Sequence, residues 1–273
     1  MTGPLPDPLA RQVRCLEDEF SGVLGLWAHD LRRRRTYELR AGEPFPAAST
    51  IKLFILHELL RQAEAGRLSL ADEVVMGRTD VVPGSGVLKD LSPGVTLSLR
   101  DAATLMVTVS DNVASNLLIG RLGVGAINQG ARACGCLQTR LGGKLFRTRA
   151  PGSTTTPRDL ARLMLGIARR RAVSPTASSL MLDILRREQS DLIVGRLLPE
   201  ERGRRVWTVA SKHGSLPGVR NDVAYVRGRT GRYVIALMSR DCADPNGSVD
   251  NEAVLCLARV ARAVHDHVTA ATM

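Results

Sequence analysis

Apolar residues Leu9, Val13, Leu16 and Phe20 recur near a helical period, which predicts a helix over 7–20. The pattern then tightens. "GVLGLWAHDL" (22–31) and "TYELR" (36–40) read as strands, with the arginine run 32–35 between them as a turn, and together they predict a hairpin. From Ser49 to about residue 198 the period is mostly helical, with helices predicted over 49–65, 98–108, 112–121, 157–171 and 174–187. Loops such as 82–94, "VPGSGVLKDLSPG", separate them. Strand patterning returns in 205–212, 221–228 and 232–239, the last two flanking "RTG", and a final helix is expected over 250–268.

Strands at both chain ends and helices in the middle imply an α/β (α+β) fold with an antiparallel sheet built from both ends. Helices flank that sheet, and a large all-helical insertion interrupts it. The expected division is a discontinuous sheet domain, 1–48 with 199–273, and a helical domain, 49–198, with the active site between them. Aromatic residues are only 3% of the 273, so the core must be aliphatic. No internal repeat or low-complexity segment is present.

The formal charge of +11 is carried almost wholly by arginine, since only Lys52, Lys89, Lys144 and Lys212 are lysines. No aromatic-interleaved basic patch or groove-reading motif accompanies it, so no nucleic-acid partner is expected. No apolar run approaches a membrane span, so no membrane partner is expected either. The first twenty residues lack the apolar stretch of a signal peptide, and the five cysteines are an odd count with no disulfide spacing. A cytoplasmic monomer is expected from the chain as it stands, and a periplasmic or secreted one if a leader has been trimmed away. Neither a cofactor nor a metal site is expected. His265 and His267 stand two apart on a predicted helix and do not face together, and Cys134-x-Cys136 has no second pair at zinc-site spacing.

Three short stretches carry candidate chemistry. In "PAASTIKLFIL", Ser49 and Lys52 stand three apart and share a helix face. A serine hydroxyl needs a base to become nucleophilic, and a lysine serves if its surroundings lower its pKa. On its own the pair reads more readily as a helix cap and a surface lysine. In "VTVSDNVASN", Ser110, Asp111 and Asn112 lie between two helices, where a hydroxyl and an amide can relay protons and hold a carbonyl, or simply cap a helix. In "VASKHGSLPG", Lys212 stands at a predicted strand end before His213 and Gly214, a place suited to an anionic group.

Together and in this order, Ser-x-x-Lys, Ser-Asp-Asn about sixty residues on and Lys-x-Gly near the returning strands resemble the class A β-lactamase family over nearly the whole chain. "TTTPRDLARLM" (154–164) and "VRNDVAYV" (219–226) add to the likeness. The resemblance implies a serine hydrolase acting on a small-molecule β-lactam or related amide or ester. It makes Ser49 the acylated nucleophile, Lys52 its base and Ser110 the proton donor to the departing nitrogen. Asn112 would contact the substrate amide, Lys212 would attract its carboxylate, and His213, Gly214, Leu216 and Arg220 would complete the binding edge. The backbone N–H of Ser49 and one near Leu216 would form the oxyanion hole.

The departures are equally specific. The family's deacylating glutamate precedes the threonine run, yet 141–157 reads "LGGKLFRTRAPGSTTTP", and no glutamate occurs between Glu73 and Glu188. Ser153 replaces the family's aspartate, Arg147 and Arg149 make the loop basic, and His213 stands where Thr or Ser is usual. Impaired or altered deacylation is therefore expected. The alternatives are an esterase, amidase or transacylase on a non-lactam substrate, or a covalent penicillin-binding protein without turnover.

Overall fold

A computed structural model describes residues 2–4, 7–147 and 152–270. The first strands are β1 (Thr2–Pro4), β2 (Val23–Asp30) and β3 (Arg35–Leu39), and the last are β4 (Thr208–Leu216), β5 (Val219–Arg227) and β6 (Arg232–Arg240). They form one six-stranded sheet in the order β1-β3-β2-β6-β5-β4. The two ends of the chain meet where β2 pairs antiparallel with β6, from Tyr233 opposite Asp30 to Arg240 opposite Val23. Every pairing is antiparallel except that of β1 with β3.

The near-continuous apolar reading of β6 has a structural cause: both faces of the sheet are covered. Tyr233, Ile235 and Leu237 point into one core with Leu9 and Val13 of α1 (Asp7–Asp18) and Leu257, Val260 and Val264 of the C-terminal helix. Val234, Ala236 and Met238 point into a second core shared with the intervening helices. These are α2 (Lys52–Glu64), α3 (Leu99–Thr108), α4 (Asn112–Leu122), α5 (Val124–Ala133), α6 (Pro157–Ala168) and α7 (Pro175–Leu185), and the C-terminal helix is α8 (Glu252–Ala270). The fold is the expected α+β architecture.

The helix starts follow from local chemistry. Ser98, Asp111, Thr156 and Ser174 each accept a hydrogen bond from the backbone N–H three residues on, and proline follows directly in α6 and α7. Helix α2 is different. Its residues Lys52 to Leu60 are all buried, so it lies at the centre of the helical body rather than on its surface. Each large aliphatic side chain there contributes roughly 1.5–3 kcal/mol of burial, which fixes the helix and the residue at its head.

Four elements differ from the sequence reading. Helix α5 was not anticipated, because "VGAINQGARA" carries five small residues and only a short apolar stripe. Strand β1 was not anticipated either, because it ends in Pro4 and proline argues against strand pairing. Ser49 lies not in α2 but in a 3-10 turn, Ala48–Ile51, that leads into it. Strand β4 extends to Leu216, so Lys212 is mid-strand rather than at a strand end. A two-residue turn, Pro217–Gly218 with glycine at φ +66°, carries the chain straight into β5 and holds the pairing to its end.

Candidate active site

The nucleophile turn is wedged between two strands. Phe45–Pro46 pairs with Thr154–Thr155, and Ala47 N–H donates to Ser153 O at 2.8 Å. On the other side β4 comes so close that a Cβ on Gly214 would stand 2.8 Å from Ser49 N and 3.0 Å from Thr50 N. Only glycine permits that approach. Ala48, directly before Ser49, is held at φ +47°, a left-handed conformation costly for a residue with a Cβ.

Lys52 begins α2 with its side chain fully buried. Its Nζ donates to Ser110 O at 2.6 Å, Asn112 Oδ1 at 2.8 Å and Ser110 Oγ at 3.0 Å. Burial above all, and then the Lys212 ammonium, push the Lys52 amine well below the usual lysine range. Asp111 and Glu188 pull the other way without reversing it.

The Ser110–Asn112 turn is clamped from outside. Ser110 adopts φ +54° in a buried position, and its carbonyl also accepts from Ser85 Oγ at 2.7 Å. Asp111 Oδ2 accepts from Val87 N–H and Leu88 N–H at 2.7 and 2.9 Å, while its Oδ1 caps α4 through Ala114 N–H at 2.9 Å. Asn112 Nδ2 donates to Pro83 O at 3.0 Å. The 83–88 loop can lie this close because Gly86 has no Cβ: one there would stand 2.3 Å from the Asp111 carboxyl.

Ser49, Ser110, Asn112, His213, Ser215 and Leu216 line one cavity of about 440 Å³. Its opposite wall is the 142–146 segment with Gly152 and Ser153. Asn116 pins that wall by accepting from Leu145 N–H at 2.7 Å and donating to Leu145 O at 2.9 Å. Arg147 donates to Val81 O at 2.8 Å, and Ser153 Oγ accepts from Gly142 N–H at 3.1 Å. Among the described residues no aspartate or glutamate lines the cavity. Arg149 lies outside the described residues.

The structure places Ser49, Lys52, Ser110 and Asn112 together, with Gly214 against the nucleophile turn. Lys212 is brought near but completely buried. Its ammonium is ion-paired with Glu188, a residue that sequence reasoning did not select. Glu188 also accepts from Ser211 Oγ at 3.0 Å, from His213 N–H at 3.2 Å and from His213 Nδ1 at 2.6 Å. Burial pushes its carboxyl upward, but Lys212 and His213 outweigh this and hold it below the ordinary glutamate range. Arg220 does not join the binding edge: its guanidinium donates to Leu216 O and Val219 O, both at 2.8 Å, and to Asn246 O, and it lies off the cavity wall. The cause is the two-residue period of β5, which aims Arg220 at the 244–246 loop.

The profile of the beta-lactamase enzyme family matches residues 8–268. The chain belongs to this family. A beta-lactamase of Rhodobacter capsulatus is 29% identical over 264 residues, covering 94% of this chain and 88% of its own length. Another, from Streptomyces lavendulae, is 31% identical over 272 residues, covering 91% and 83%. Among solved structures, the beta-lactamase of Sphaerobacter thermophilus superposes with a TM-score of 0.87 at 30% identity over 96% of this chain and 97% of that one. PBP-A superposes with a TM-score of 0.86 at 30% identity over 97% of each chain. A PBP-A variant solved as an acyl-enzyme with penicillin G gives 0.85, also at 30% identity over 97% of each. The protein is thus a β-lactamase-like serine hydrolase of the class that acts on lactam bonds, and no helix of its described residues is long and apolar enough to cross a membrane.

Proposed function

We propose that Ser49 is acylated by a β-lactam or a related amide or ester, and that acylation outruns release of the acyl group. The buried Lys52 amine carries this reading. Its lowered pKa favours loss of a proton, and once deprotonated it keeps two N–H bonds for Ser110 O and Asn112 Oδ1 and a lone pair with which to take a proton. Ser110 Oγ, 3.0 Å from that nitrogen, is then the donor that delivers the proton to the departing nitrogen. The Ser49 N–H and an N–H of the facing Ser215–Leu216 segment receive the developing oxyanion.

Lys212 acts in this reading mainly on its neighbours. Its charge is balanced by Glu188, and its effect is to depress the Lys52 amine rather than to present a free cation to a substrate carboxylate. The absence of a carboxylate from the described cavity wall favours a long-lived acyl-enzyme, and the structural likeness to PBP-A favours the neighbouring reading, a covalent penicillin-binding protein with little turnover.

The test is a time course of intact mass with penicillin G, a cephalosporin and an ester probe. The expected result is one acyl adduct formed in a burst and lost slowly, absent in Ser49→Ala. Ser49 is only partly buried, so that variant should keep its fold. An adduct on Ser49→Ala at the wild-type rate would refute the assignment, and rapid steady-state hydrolysis without a burst would refute slow release.

A further inference from the structure

Release of an acyl group from a serine ester requires a water activated beside the ester carbon. The described walls of the cavity offer no carboxylate for this, but they do offer one imidazole. His213 lies one residue before Gly214, whose Cα abuts the Ser49 backbone, and its ring shares the cavity with Ser49 and Ser110. Its two nitrogens differ. Nδ1 is 2.6 Å from Glu188 Oε1 and 3.4 Å from Lys212 Nζ, so the shorter contact sets its role, whereas Nε2 makes no hydrogen bond to any described residue. The side chain is 23% exposed, so the ring reaches the cavity rather than the core.

The tautomer follows from the partner. Glu188 is almost wholly buried and receives Lys212, Ser211 Oγ and the His213 backbone N–H, so it is an ionised carboxylate that can only accept. The proton of the 2.6 Å contact therefore sits on Nδ1. That leaves the Nε2 lone pair free and directed away from Glu188. A buried carboxylate orienting an imidazole beside a serine is the arrangement that serine hydrolases on other folds use to make histidine a base.

We propose that His213, oriented by Glu188, is the base that activates water for release of the acyl group from Ser49. This rests on the reading that Ser49 becomes acylated. Water bonds to the ester carbon while His213 Nε2 takes its proton. The tetrahedral intermediate then collapses, the carbon–Oγ bond breaks, and the proton returns from Nε2 to Ser49 Oγ, leaving a free carboxylic acid and the original serine. No oxidant or further reactant is needed. His213 is the catalytic group and Glu188 a positioning residue.

The experiment loads the full chain with penicillin G or an ester probe, removes the excess and follows decay of the adduct by intact mass. His213→Ala is expected to lower the ratio of deacylation to acylation rate by about 10²-fold, the lower range for loss of a general base. Added imidazole should restore decay in His213→Ala and leave the wild type little changed. Glu188→Gln should lower the same ratio, since the amide can present its N–H to Nδ1 and reverse the tautomer. His213→Ala decides the matter, because it leaves the buried Lys212–Glu188 pair in place. An unaltered ratio in His213→Ala overturns the proposal, as does a wild-type adduct that never decays. Failure of the wild type to form an adduct would instead overturn the Ser49 reading and this one with it, whereas a His213→Ala variant that forms none while the wild type does would place His213 in acylation and overturn this proposal alone.

Discussion

Replacing Gly214 by alanine tests how the nucleophile is positioned. The new Cβ would stand 2.8 Å from Ser49 N, 3.0 Å from Thr50 N and 3.1 Å from Ala48 Cβ, where ordinary contacts begin at 3.4 Å. Two of these atoms are backbone, in a turn already strained at Ala48, and no flexible side-chain end can give way. Strand β4 and the turn must separate by about half an ångström. A misplacement of about 1 Å in an active site costs as much as 10²-fold in rate, so acylation of Gly214→Ala should slow by about 10- to 100-fold. Overpacking should also lower stability by about 1–3 kcal/mol. The assay is the burst rate by intact mass under pseudo-first-order conditions, with thermal unfolding alongside. Acylation at the wild-type rate in a folded Gly214→Ala would show that the close approach of β4 does not hold Ser49 in place.

Asp222 of β5 is fully buried with one carboxyl oxygen unpartnered, and burial, then the Glu188 carboxylate, raise its pKa to about 8. The native state then keeps a proton that the unfolded chain loses near pH 4, so this group makes stability fall as pH rises from about 4 to about 8, by up to about 1.4 kcal/mol per pH unit. Asp222→Asn should remove that contribution, so its stability relative to wild type should grow across the same window in denaturant titrations; a constant difference would refute the buried acid. Asp111→Ala strips partners from three backbone N–H groups, at Val87, Leu88 and Ala114. It should cost about 2–5 kcal/mol and slow acylation as the 83–88 loop releases Ser110. A variant with wild-type unfolding and burst rate would contradict the clamp.

Local order was legible before folding. The helical period of α3, α4, α6 and α7 and the alternating or unbroken apolar runs of β2, β5 and β6 arise from side chains only a few residues apart. So do the caps at Ser98, Asp111, Thr156 and Ser174. The Ser-x-x-Lys and Ser-Asp-Asn motifs were legible too, because each is a local geometry: two residues one turn apart where a 3-10 turn runs into a helix, or three in the turn between two helices. Even the joining of both chain ends in one sheet could be read, since strands at each end had nowhere else to bury their apolar faces.

What the sequence left open depended on how distant segments meet. Glu188 follows α7 and looks like any charged residue after a helix. Only the packing of that segment against β4 sets its carboxylate on Lys212 and His213, burying a charge that has value solely because its partners are there. Lys212 is a surface residue or a buried ion according to that one contact. Lys52 takes its depressed pKa from burial at the head of a wholly buried helix and from Lys212, which arrives from the far end of the chain. Arg220 sits in a promising stretch, yet the two-residue period of its strand turns it from the cavity. Residue types and local periods determined the elements and the family's motifs; electrostatics and orientation, which depend on distance through space, were decided by the tertiary fold.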